Sequence, residues 1–242
     1  MKRIIVFFSS FLLVAAFLEG SASGGQSLSG GDDPAKLSFF LGEVKSKVNE
    51  NSEWQPAVLN QGLSQQSSLK TGEESRAEVS FHDGSVARVD QNSQLSFTEL
   101  VSDAEGQKVE GRLSVGKLWA NVKKLGGKNS SFKTQTTTAV AAVRGTVFRL
   151  NLLPDSTTEL YVYEGEVTVR PFWAKAKPSW PPKEVEPPKE VGLKEWTEIV
   201  RAQMRLIVKP DRARTRLVEG FNPEEDLKDE WVMWNKKRDT LR

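Results

Sequence analysis

Cysteine is absent from the 242 residues, and histidine occurs once, at His82. The first absence excludes disulfide staples, thiolate metal sites and lipid attachment through a cysteine. The second excludes a two-histidine metal centre and a histidine proton relay. His82 stands beside Asp83-Gly84, and no nucleophile elbow accompanies it, so a Ser/His/Asp hydrolase has no support. Phosphate-binding glycine loops, calcium loops and zinc signatures are missing as well. Neighbouring carboxylates such as Glu73-Glu74 do not announce the facing pair that glycoside cleavage needs. The residues therefore imply no cofactor, no metal and no catalysis.

Long hydrophobic runs are also scarce. The one long apolar-rich uncharged stretch, Ile4 to Leu18, follows Lys2-Arg3 and ends at Glu19. It falls short of the roughly 20 residues that span a bilayer, and the small residues Gly20 to Gly25 come next. A signal peptide over residues 1–23 is the expectation, with the mature chain periplasmic or secreted. Membrane association is expected only if that segment stays uncleaved.

Charge of one sign is lacking overall, with 34 Lys and Arg against 32 Asp and Glu. Its distribution is uneven. Residues 32–110 hold 14 acidic and 7 basic side chains, whereas residues 111–154 hold no acidic ones. The candidate polymer-binding residues in and around that basic strip are Arg112, Lys117, Trp119, Lys123, Lys124, Lys128 and Lys133. The competing reading is that acidic and basic strands lie side by side and neutralise each other. Nucleic acid is not expected as a partner, because clustered aromatics do not accompany the lysines.

What is abundant is alternation. Leu37 to Val44, Leu113 to Trp119 and Leu160 to Val167 each alternate apolar residues around a glycine, the period of a strand with one buried face. Turn signals recur every eight to twelve residues. Asp83-Gly84 joins Arg76–Phe81 to Ser85–Val89 and predicts a hairpin with a primed turn. Gly126-Gly127 and Pro154-Asp155 predict two more reversals.

The resulting order is a flexible leader over 24–36, a β domain over 37–169, a Pro-rich linker over 170–192 and a helical C-terminal region over 193–242. Six prolines between Arg170 and Gly192 support the linker. Leu193, Trp196, Ile199 and Val200 have helical spacing and predict a helix over Leu193–Ala202, followed by a short strand over Arg205–Lys209. A last helix is predicted from an Asn222 cap and Pro223 to about Arg238. Its stripe of Leu227, Trp231 and Trp234 is expected to pack on the chain's own domain, since a bare aromatic face invites aggregation.

Three landmarks stand in one order: Asp83-Gly-Ser-Val-Ala-Arg-Val89, Gly116-Lys-Leu-Trp-Ala-Asn-Val122, and Val143-Arg-Gly-Thr-Val-Phe-Arg-Leu150 followed by Glu164-Gly-Glu-Val-Thr-Val169. Together they resemble the FecR domain, over roughly residues 62 to 169. The resemblance implies a mainly β, solenoid-like or sandwich-like fold in an exported, non-catalytic module that binds, senses or scaffolds. An envelope protein is the implied partner, with a cell-wall polymer or glycan as the alternative. The sigma-factor-binding segment of iron-signalling FecR regulators has no counterpart before the hydrophobic run, so anti-sigma activity is not carried over. Gly84, Gly116, Gly145, Thr146, Val147, Phe148 and Gly165 read as fold-determining rather than as a site.

Overall fold

The computed structural model describes residues 33–124, 130–172, 197–210 and 216–241. The expected signal peptide, most of the leader, the Gly126-Gly127 reversal, the Pro-rich tract from Trp173 onward and Lys128 lie outside them. Among the described helices none is long and apolar enough to cross a membrane.

Seventeen strands account for most of the described residues. They are β1 (Ala35–Leu41), β2 (Val44–Lys47), β3 (Gln55–Pro56), β4 (Gly62–Leu63), β5 (Ser68–Thr71), β6 (Arg76–Phe81), β7 (Val86–Val89) and β8 (Gln94–Asp103). After these come β9 (Gly106–Val122), β10 (Ser131–Gln135), β11 (Ala139–Val143), β12 (Thr146–Leu152), β13 (Thr158–Glu164) and β14 (Glu166–Pro171). The last are β15 (Glu198–Arg201), β16 (Met204–Val208) and β17 (Arg216–Gly220), followed by helices α1 (Pro223–Asp226) and α2 (Glu230–Asp239).

Two sheets share the long strand β9. Sheet I runs β4-β1-β6-β7-β9-β12-β13-β16-β17 and is antiparallel throughout. Sheet II runs β3-β2-β5-β8-β9-β10-β11-β14-β15, with β9 and β10 as its parallel pair. The crossing happens at Gly116. Residues before it pair with β8, and residues after it pair with β7 and β12. Gly116 has φ +92°, and a Cβ there would lie 2.7 Å from the Ser93 Cα, so only glycine fits the corner.

The inner faces of the sheets form one core. Leu37, Val79, Leu118, Phe148, Leu150 and Val162 from sheet I pack with Leu69, Leu95, Phe97, Leu113, Val143 and Val167 from sheet II. Phe81 meets Phe97 and Phe132 across the gap, edge to face, at 6.0 and 5.5 Å. The fold is mainly β, as expected, and takes the sandwich form.

Three local expectations are corrected. The Asp83-Gly84 hairpin forms, but its turn is not primed. The Gly84 N–H donates to Phe81 O across His82 and Asp83, and Gly84 alone of these residues has positive φ. That is a common turn followed by a left-handed residue, which adds one residue to the connection. The same construction recurs at Pro154-Asp155-Ser156, with Ser156 at φ +66°.

Helix is not formed over the described part of Leu193–Ala202, which contains strand β15. Ile199 and Val200 are β-branched, and pairing with Thr168 and Val167 of β14 outweighs their helical spacing. The expected strand over Arg205–Lys209 is β16.

The last helix is two. Asn222 caps α1, its Oδ1 accepting from the Glu224 N–H with Pro223 in the first turn. Asp229 caps α2 in turn, its Oδ1 accepting from the Trp231 N–H at 2.8 Å. A strong cap in mid-stripe starts a new helix. Leu227, on the break, is exposed, while Trp231 is buried and Trp234 partly so.

Candidate functional site

The outward side chains of sheet I form a continuous cross-strand row. Phe39 of β1 is opposite Glu78 of β6, Glu78 opposite Arg88 of β7, and Arg88 opposite Trp119 of β9. Trp119 is then opposite Arg149 of β12, Arg149 opposite Tyr161 of β13, Tyr161 opposite Arg205 of β16, and Arg205 opposite Glu219 of β17. Charged and aromatic residues at successive cross-strand positions interact directly. The Arg149 guanidinium lies 4.0 Å from the Tyr161 ring centre.

Outward residues of a sheet normally meet water, but much of this row does not. Arg88 and Trp119 are fully buried, and Arg149 is 3 % exposed. Their cover is the C-terminal segment, in which Trp231 and Val232 join Trp119, Val147, Tyr161 and Tyr163 in a second apolar cluster, with Phe221 and Trp234 at its margin.

Charge pairs fasten this cover. Arg88 Nε donates to Glu78 Oε2 at 2.7 Å, and Arg88 Nη1 to Asp239 Oδ1 at 2.7 Å. Trp119 Nε1 donates to the other Asp239 oxygen at 3.0 Å. Arg238 Nε reaches back to Glu78 Oε2 at 3.2 Å. At the far end Arg149 Nη2 donates to Asp226 Oδ1 at 2.8 Å, and the Tyr163 hydroxyl donates to Asp226 Oδ2. Lys117 lies 3.6 Å from Asp229.

These surroundings set the protonation of the row. Burial alone would raise the Glu78 carboxyl, but bonds from Arg88, with Ser38 and Arg238 adding theirs, hold it down to about 2. Burial pushes the Tyr163 phenol far up, opposed by the charge of Arg149 and reinforced by the bond to Asp226. The carboxylate and the phenol thus sit in the forms that the observed bonds require.

Residues 67–168 match the family described as FecR protein. The chain carries a FecR domain. That assigns it a module of regulatory signalling proteins. Two crystal structures of a candidate anti-sigma factor from Parabacteroides distasonis align with the chain at 16% identity and a TM-score of 0.45. The alignment covers 64% of this chain and 60% of that one, so the chain spans less than two thirds of the length of that relative. No curated protein sequence matches it.

Within the FecR domain the landmark glycines, Thr146, Val147 and Phe148 are framework, as read from sequence. Gly84, Gly116, Gly145 and Gly165 all have positive φ. Thr146 Oγ1 donates to Arg144 O at 3.3 Å and to Glu166 O at 3.0 Å, which ties the turn before β12 to β14. Val147 and Phe148 fill opposite faces of their strand, one in each apolar cluster.

The structure divides the candidate polymer-binding residues among several places. Arg112 and Lys133 face outward on sheet II, Arg112 over the Phe172 ring at 5.7 Å and Lys133 3.6 Å from Glu110 on the paired strand. Lys117 and Trp119 lie beyond the Gly116 corner on sheet I, Lys117 between Asp90 and Asp229, Trp119 under α2. Lys123 and Lys124 are exposed where β9 ends, and Lys128 lies outside the described residues. Sequence reasoning missed Glu78, Arg88, Arg149, Tyr161, Tyr163, Asp226 and Asp239. Arg88 and Arg149 stand inside the landmarks Asp83–Val89 and Val143–Leu150, and the others sit at ordinary outward or helical positions that no local signal sets apart.

Proposed function

We propose that the chain is an exported, non-catalytic binding and sensing module of the cell envelope, built on its FecR domain and engaging a protein partner. The family match over residues 67–168 carries this reading, because it brings a regulatory module. Export is supported by Lys2-Arg3, the uncharged run Ile4 to Leu18 and the small residues after it. A cysteine-free chain stabilised by a two-sheet apolar core needs no redox control outside the cytoplasm.

Fractionation of cells producing the tagged chain tests the reading. Recovery from the periplasm or medium, with the first residues removed by mass, is the expected result. Recovery in the cytosol at full mass would overturn it. A polymer-binding role using Arg112, Lys117, Trp119, Lys123, Lys124, Lys128 and Lys133 is tested separately by salt. Retention on an anionic polymer through several basic groups should weaken steeply with ionic strength, and reversing Lys123 and Lys124 to Glu should abolish it.

A further inference from the structure

We propose that the outer face of sheet I is a docking surface for an acidic, tryptophan-bearing helix of a protein partner, and that the chain's own α1–α2 segment holds this surface shut. The inference rests on the protein-binding reading and names the surface that such binding would use.

The first observation is that the sandwich closes without the helices. Its core cluster contains strand residues of both sheets and no residue of α1 or α2. The second is that the segment is joined to the sheet by one short connection, Phe221-Asn222 after β17. Four- and ten-residue helices are marginal on their own, so the face they cover holds them in shape.

The third observation is the chemistry of the contact. Sheet I supplies Arg88 and Arg149 beside Trp119, Tyr161 and Tyr163, and the segment supplies Asp226, Asp239 and the buried Trp231. This is a helix laid on an aromatic surface, with carboxylates pinned by arginines. The fit is incomplete. Among the described residues, Arg88 Nη2, Arg149 Nε and Trp231 Nε1 are buried with no acceptor. Unmet donors lower the cost of releasing the segment and leave room for a competitor to bind better. Charge complementarity fixes the partner's character, since a basic or uncharged helix would leave Arg149 without a carboxylate and Arg88 with Glu78 alone in a dry site.

The test uses the full chain and a labelled synthetic peptide of residues 222–242. The intact chain should capture the peptide weakly, because its own segment competes at high effective concentration. The D226N/D239N variant frees the face without altering it, and should capture the peptide at least tenfold more tightly. Adding R88E to that variant should abolish capture. Unchanged strand content by circular dichroism keeps these comparisons valid. In hydrogen exchange, amides of α2 should open well before those of β12. Equal capture by the intact chain and D226N/D239N, or exchange of α2 only together with β12, would overturn the proposal. So would a concentration-dependent dimer of the intact chain, which would assign the face to a second copy. Export is scored in the fractionation experiment alone, so the two readings fail separately.

Discussion

Sheet I has two faces made by the same strands, and they are held together by different physics. Its inner face, with Leu118, Phe148, Leu150 and Val162, is apolar and meets an equally apolar sheet II. Its outer face, with Glu78, Arg88, Trp119, Arg149 and Tyr163, is closed by directed bonds to one segment. Apolar burial scales with area and tolerates repacking. A buried ion pair tolerates little, because removing one partner strands the other away from water. The inner face therefore specifies that the chain is a sandwich, and the outer face specifies what may lie on it.

The largest expected effects set the faces against each other. Arg88→Ala removes the buried guanidinium that Glu78 and Asp239 share and should cost about 3–5 kcal/mol in urea unfolding, as much as Phe148→Ala in the core. Replacing Glu78 and Arg88 together by Leu and Met should cost far less than Arg88→Ala, whereas no second substitution at Phe148's neighbours should rescue the core cavity. Equal losses in the single and double outer variants would break the distinction.

Acid should come next in size and should act on the outer face. Glu78 is held at about 2, below its unfolded value of about 4.3. A depressed carboxyl contributes stability that is fully present above its unfolded value and is lost as pH falls through the folded one. Unfolding followed from pH 5 to pH 2 should show most of the roughly 3 kcal/mol that this group contributes being lost. Glu78→Gln should flatten that slope. An unchanged slope would mean that other carboxylates carry it.

The smallest effect belongs to the rim. Lys117 lies 3.7 Å from Asp90 and 3.6 Å from Asp229 and is partly exposed. Lys117→Ala should change stability by no more than about 0.5 kcal/mol, checked by the same unfolding midpoint. A loss as large as that of Arg88→Ala would show that burial does not separate the two.

Alternation made the strands readable, since Leu118, Ala120 and Val122 point one way and Trp119 the other whatever lies beyond them. It could not say that Trp119 is covered, because the cover arrives from Trp231 and Asp239, more than a hundred residues on. Arg112 and Trp119 look like neighbours on one basic strip, yet the Gly116 corner sends them to different sheets. Ile199 and Val200 fitted helical spacing, and the edge of β14 made them a strand.

Local chemistry by itself determined the strand character of the chain, the glycine turns, the helix start at Asn222-Pro223, and the signature of the FecR domain. Tertiary structure alone decided which sheet each half of β9 joins and which outward side chains escape water. The reason is that side-chain period and turn geometry are properties of a few consecutive residues. Coverage of a face depends on pairings between segments far apart, whose closing cost and reward no short window contains.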